Sequence, residues 1–415
     1  MNTPLFRYTQ GKDDTMGVKH LMDPVYQVLK GVGFDGYEDF LKREDLDFFT
    51  FADPYYPDSC IPQHIKEGIY RSLESNAAHY TLPVGLDELR RAVADRVEKV
   101  NGIKVDHNKN VIITSGSDLN YNFAMRLFMT PGEKNEVMVP LPSYTHNYVS
   151  PYLMGGVSVP VPTSMEDNYD LHMEEFEKRL TPKTRMISLT NPNNPTGTVY
   201  RRETLEKLAE FCIRHDLVLF VDQCFEDSVF DGYEMFNIIN VPGMWERTIL
   251  SSSFSKGMGL CGFRLGYMVA HEDIMEAMQA SAVQYVGAPS TMIQCAGIAA
   301  LKDTAFMEDM RQDFQARAQV AYELFSDIPG VKCIKPEAGF YIWLDIGELG
   351  TSKEVCDYLL REAHVVVTSS DGDMWGPGTG EYGIRIIYGS KKDPEDCYRV
   401  LRRIRQALID YPRKS

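Results

Sequence analysis

Between Asn110 and Ala270, short apolar runs recur without the in–out alternation of a half-exposed strand, and longer amphipathic stretches separate them. The runs are Asn110–Thr114, Glu136–Val139, Val157–Val161, Arg185–Leu189, Leu217–Asp222, Thr248–Ser251 and Leu265–Ala270. A strand that is apolar on both sides needs cover on both faces, which is the condition of a mainly parallel sheet enclosed by helices. The intervening stretches supply such helices. Asp118–Met129 is one, and Arg202–His215 is another, with Leu205, Leu208, Ala209 and Cys212 at helical spacing. The expected fold class is α/β, a mainly parallel central sheet with helices on both faces.

Beyond about Lys302 the pattern changes. A long polar helix, Asp303–Phe325, precedes short strands at Val331–Ile334, Phe340–Leu344 and Gly383–Ile387, which reads as a smaller α+β domain. A length of 415 residues accommodates more than one core. The expected division is 1–65 as an N-terminal arm and part of the small domain, 66–301 as the large domain, and 302–415 as the small C-terminal domain.

Composition removes several function classes. A net charge of -16 disfavours nucleic acid and anionic membrane as partners. No run approaches the roughly 18 apolar residues of a membrane span, and the opening MNTPLFRYTQGKDD lacks the apolar core of a signal peptide. The eight cysteines are scattered without a C-x-x-C pair, and the nine histidines form no H-x-x-x-H. Neither pattern suits a metal site, and reduced, dispersed cysteines suit the cytoplasm.

Four loops follow strands at the end where α/β sheets place ligands. Thr114-Ser-Gly-Ser-Asp118 joins a strand to a helix, and its N–H groups and the helix dipole suit an anion such as phosphate. Asn191-Pro-Asn-Asn-Pro-Thr-Gly197 packs two X-Pro bonds and a glycine into one turn, fixing its asparagine amides. Asp222 ends a buried apolar run, a costly place for a carboxylate unless it meets a cation or a strong donor.

The fourth loop, Ser251 to Tyr267, reads SSSFSKGMGLCGFRLGY. Gly257, Gly259 and Gly262 spell the G-x-G-x-x-G of a dinucleotide turn, and Glu272 or Asp273 stands where a ribose-binding acid is needed. That motif also requires a helix after the glycines, whereas Phe-Arg-Leu-Gly-Tyr-Met-Val-Ala is strand-like, so a nicotinamide dehydrogenase is disfavoured. The same loop isolates Lys256 among small residues with Ser253, Ser255 and Arg264 beside it. A lysine amine attacks carbonyls when desolvation or a neighbouring cation lowers its pKa, and the serines and arginine suit a phosphate.

Together, N-P-x-N-P-T-G, the S-x-S-K loop and the later arginine resemble the class I/II aminotransferases, the fold-type I family of pyridoxal-5'-phosphate (PLP) enzymes, from about Phe48 to Tyr388. The resemblance implies that residues 66–301 form the PLP-binding domain. It implies that Lys256 forms the Schiff base and moves the Cα proton, and that Asp222 keeps the pyridine nitrogen protonated. Asn194 then binds the ring hydroxyl oxygen and Tyr144 stacks on the ring. Gly116, Ser117, Asp118, Ser253, Ser255 and Arg264 surround the phosphate. Arg385, in Gly-Ile-Arg-Ile-Ile, clamps the substrate carboxylate, with Asn194 and Ala52 also at the substrate. Tyr80 reaches the phosphate of a neighbouring subunit, so a homodimer with shared sites is implied. A PLP-binding regulator would need a DNA-binding domain, for which the acidic chain leaves no clear room.

Three departures stand out. The tyrosine common three residues after the aspartate is Phe225, a Gly-x-Pro turn near the substrate reads Ala52-Asp-Pro54, and Gln279–Gln294 contains no Arg or Lys for a second substrate carboxylate. The implied reaction is transfer of an amino group from an L-amino acid to a 2-oxo acid. The alternative on the same fold is a PLP-dependent lyase, decarboxylase or oxidase, and the third departure points to a neutral, aromatic or cationic substrate side chain.

Overall fold

The computed structural model describes residues 37–75 and 77–412. The part of the expected N-terminal arm that precedes Tyr37 lies outside the described residues. Each apolar run becomes a strand of one seven-stranded sheet. With β1 a two-residue strand (Asp47–Phe48), these are β2 (Val111–Thr114), β3 (Glu136–Leu141), β4 (Val157–Pro162), β5 (Thr184–Thr190), β6 (Val218–Asp222), β7 (Thr248–Ser253) and β8 (Gly266–Ala270). Their order across the sheet is β2-β8-β7-β6-β5-β3-β4, and only β8 runs antiparallel to its neighbours.

Both faces are buried, as unalternating runs require. Ile113, Leu189, Val221, Leu250 and Val269 belong to one apolar cluster, with the helices Asp87–Asn101 and Arg202–Arg214 packed into it. Ile112, Met186, Phe220, Ile249 and Met268 belong to another, under the helices Ser117–Phe128 and Glu272–Tyr285.

The rest of the chain builds a second sheet. It contains β9 (Lys332–Cys333), β10 (Tyr341–Asp345), β12 (Thr368–Ser369) and β13 (Gly383–Ile387), in the order β12-β13-β10-β9. The long helices Ala305–Phe325 and Pro394–Ile409 pack against it in a third cluster. Phe49 and Tyr55 join this cluster from the other end of the sequence. They are brought there by β1, which pairs in parallel with β11 (Val365–Val366).

This topology gathers the chemistry at one edge. Six strands share a direction, so β2, β3, β5, β6 and β7 end together at Thr114, Leu141, Thr190, Asp222 and Ser253. The opposed β8 starts at that same edge, with Gly266 opposite both Thr114 and Ser253. Loops far apart in sequence therefore meet there.

Candidate active site

The meeting loops enclose a cavity of about 420 Å³. Its walls hold Ser117, Asp118, Tyr144, Asn194, Asp222, Ser253, Ser255, Lys256, Arg264, Arg385 and Ala52, all singled out from the sequence. Gly116 borders it as the residue before the helix Ser117–Phe128, at φ 99°. An ideal Cβ there lies 2.6 Å from Arg264 Nη2, so a side chain at this position would displace the guanidinium. Tyr80 is elsewhere: it does not line this cavity and is 96% exposed.

Lys256 follows β7 by three residues. Its Nζ donates to the carbonyl of Ala52 and lies 3.7 Å from Cys261 Sγ. The Cys261 thiol is pushed up to about 11 by burial, so it stays neutral and donates to Ser255 O at 3.0 Å. No helix starts after Gly262. A short 3-10 turn, Cys261–Phe263, hands the chain to Arg264 in the left-handed region at φ 51° and then to β8. The dinucleotide fingerprint thus lacks the helix end that would hold a pyrophosphate.

Asp222 faces the cavity from the end of β6 and accepts from the Cys224 N–H at 3.1 Å. Burial pushes its carboxyl up, the Asp118 carboxylate adds to this, and His146 opposes it. Tyr144 precedes the helix Thr145–Leu153, and burial, then the nearby Asp118 and Asp222, raises its phenol to about 12.

The asparagines of the 191–197 turn divide their work. Asn191 and Asn193 hold the turn itself, through Tyr200 N at 3.2 Å and Thr196 Oγ1 at 2.9 Å. Asn194 alone accepts from Arg385 Nη1, at 2.8 Å. The second Arg385 amino group donates to Thr50 O at 2.9 Å, and the guanidinium lies 4.7 Å from the Trp375 ring centre. Burial lowers Arg385 to about 10, and its Nε has no hydrogen-bond partner among the described residues. A buried donor left over is expensive, so this fork is built for an acceptor.

Sequence reasoning missed Thr50, Phe51, Thr190, Cys224, Thr368 and Met374, which also line the cavity. Cys224 had a usable signal, two residues past the strand-ending Asp222. Thr50 and Thr368 had none, because their hydroxyls meet at 2.8 Å across the β1–β11 pairing. Among the described residues no three metal-ligating side chains form a cluster, and no helix is long and apolar enough to cross a membrane.

A sheet of this order, with a lysine, a strand-ending aspartate and a buried arginine around one cavity, defines an α/β enzyme built for amine and carboxylate chemistry. A family model described as aminotransferase class I and II matches residues 50–404. The aromatic-amino-acid aminotransferase 2 of Thermococcus litoralis is 36% identical over 338 residues, covering 80% of this chain and 85% of its own length. The aspartate aminotransferase of Pyrococcus abyssi is 34% identical with the same coverage. Among solved structures, the aromatic aminotransferase of Pyrococcus horikoshii superposes with a TM-score of 0.82 at 31% identity, over 90% of this chain and 98% of that one. The aspartate aminotransferase of Thermus thermophilus with maleate gives 0.83 at 27% identity, over 93% and 99%. The chain belongs to the class I and II aminotransferase family, enzymes that move an amino group from an amino acid to a 2-oxo acid.

Proposed function

We propose that this aminotransferase works with pyridoxal 5'-phosphate on an amino donor whose side chain is uncharged and apolar or aromatic. The observation that carries the cofactor reading is the convergence of Lys256, Asp222 and Asn194 beside an anion cup. That cup consists of the Gly116 turn, Ser253, Ser255 and Arg264, and a Cβ at Gly116 would fill it. When bound, the cofactor supplies an electron sink for the substrate's Cα.

The protein's own groups do the rest. Lys256 holds the cofactor through its amine and, once freed, moves the proton at Cα. Asp222 would pair with the ring nitrogen and stabilise its protonated form, and Tyr144 would pack against the ring. Asn194 donates to the ring oxygen, and Arg385 offers its fork, including the unpartnered Nε, to the substrate carboxylate.

The donor class rests on charge. The cavity walls hold three cations, Lys256, Arg264 and Arg385, and each already has a role, while Phe51, Ala52, Phe225 and Met374 are apolar. Gln279–Gln294, which carries no Arg or Lys, contributes no lining residue. A second substrate carboxylate would therefore meet no free cation from this chain. We further read the protein as a homodimer in which Tyr80 serves the partner's site. In support, Tyr80 is 96% exposed and Leu82 is 67% exposed. Eight unpaired thiols support a cytoplasmic setting.

The test is to add single amino acids to the cofactor-loaded protein and record the visible band. Phenylalanine, tyrosine or a large aliphatic amino acid should bleach it with stoichiometric pyridoxamine phosphate and 2-oxo acid. A kcat/KM highest for aspartate refutes the donor class, and a protein that takes up no pyridoxal 5'-phosphate refutes the cofactor.

A further inference from the structure

We propose that Asp118 competes with the cofactor's phosphate for Arg264, and so sets how readily this protein takes up and releases its cofactor. The proposal rests on the cofactor reading above. Arg264 is the cation of the anion cup, and its Nη2 is already within 3.3 Å of Asp118 Oδ2. The other amino group, Nη1, donates to Cys261 O at 3.1 Å. The guanidinium passes directly over Gly116, the residue whose turn would face a phosphate. Asp118 is thus an internal anion seated on the cation a phosphate needs.

Position makes the competition direct. Asp118 stands in the first turn of the helix Ser117–Phe128, where a carboxylate interacts favourably with the free N–H groups. A phosphate bound at that helix start takes the same N–H groups and the same guanidinium. Two anions then share one cation and one dipole, and like charges this close disfavour each other. Both partners of the ion pair are about half exposed, 49% for Arg264 and 45% for Asp118, so solvent screens the effect. Asp118 also lines the cavity, and its charge adds to the upward push on both Asp222 and Tyr144.

The consequence is a phosphate held less tightly than Arg264 and the helix start alone would hold it. Removing the charge while keeping the shape should tighten phosphate binding about two- to fivefold, the size expected of a screened charge pair. The experiment uses cofactor-free protein and three probes: inorganic phosphate, pyridoxal 5'-phosphate and phosphate-free pyridoxal. Binding is read by calorimetry and by the visible band, for wild type, Asp118→Asn, Asp118→Ser and Arg264→Ala. The serine variant keeps an oxygen at the helix start should the amide disturb the fold.

Both Asp118 variants should bind phosphate and pyridoxal 5'-phosphate about two- to fivefold more tightly and leave pyridoxal unchanged. The loaded variants should exchange with labelled cofactor correspondingly more slowly. Equal or weaker phosphate binding in both variants, with Arg264→Ala weakened as expected, overturns the proposal and leaves the cofactor reading intact. Phosphate affinity untouched by Arg264→Ala would mean that the cup itself is misread, and the proposal falls with it.

Discussion

Replacing Phe225 by tyrosine probes the cavity at one of the three departures read from the sequence. Phe225 is buried, packed 5.6 Å from Phe340 and edge-on to Tyr341 at 5.2 Å, and it lines the cavity with Asn194. Tyr341 cannot stand in for the missing phenol, because its hydroxyl donates to Asn193 O at 2.8 Å. With the proposed cofactor bound, a hydroxyl on residue 225 would therefore add a second donor, beside Asn194, to the ring oxygen. A hydrogen bond to a charged acceptor contributes about 1.5–3 kcal/mol, and about 1.36 kcal/mol corresponds to one pH unit. The form that accepts the bond is the deprotonated one, so the pKa of the visible band should fall by about 1–2 units.

The assay is an absorbance titration of the loaded wild type and Phe225→Tyr between about pH 5 and 10. Melting of the cofactor-free variant supplies a second reading. A buried hydroxyl without an acceptor costs about 1–3 kcal/mol, so a lowered Tm that recovers on loading places the new bond on the cofactor. An unchanged or raised pKa refutes the reasoning.

Two further perturbations test the same geometry. Burial raises the Asp222 carboxyl of the cofactor-free protein, so between the unfolded and folded values the folded chain holds a proton there that the unfolded chain has lost. Its cost to stability sets in as pH rises past the unfolded value and is full above the folded one. Asp222→Asn should therefore raise the Tm of cofactor-free protein by a few degrees near pH 7 and leave it unchanged near about pH 3; calorimetry showing a neutral-pH loss contradicts this. Gly257→Ala places a Cβ 2.3 Å from Asp227 Oδ2, and Asp227 is itself held by Arg96 at 2.6 Å. Overpacking of this kind costs about 1–3 kcal/mol. Because the preceding residue is Lys256, cofactor uptake should also slow about tenfold or more, as a misplacement of about 1 Å does; stopped-flow uptake at the wild-type rate would argue against a rigid lysine loop.

The large sheet is legible in the sequence because burial on both faces leaves a signature that any single strand carries. The run Glu136–Val139 stops short of the strand's true end at Leu141, since Pro140 looks like a boundary, yet all seven runs are neighbours in one sheet. The lysine loop is told from a dinucleotide turn by the segment after Gly262, which does lead into β8. Pairings between distant segments are illegible. Nothing in Asp47–Phe48 announces a parallel partner at Val365–Val366, and nothing in Thr50 announces Arg385. The resemblance sets Asp118 and Arg264 around one phosphate but does not pair them directly with each other, a contact made where the antiparallel β8 meets β2.

The segment from Asp47 to Tyr55 has a mechanical meaning. It is stitched to the four-stranded sheet through β1, through Ile387 N to Phe49 O at 2.9 Å and through Tyr55 N to Gly389 O at 2.7 Å. Thr50 and Ala52, which ride on it, bind Arg385 and the Lys256 amine respectively. The substrate clamp and the cavity's rim are thus fastened to the four-stranded sheet, while Lys256, Asp222 and Asp118 follow strands of the seven-stranded one. The Lys256–Ala52 hydrogen bond fastens the two sets to each other at the amine itself. Any chemistry that takes up that nitrogen therefore acts on a contact between segments of the two sheets.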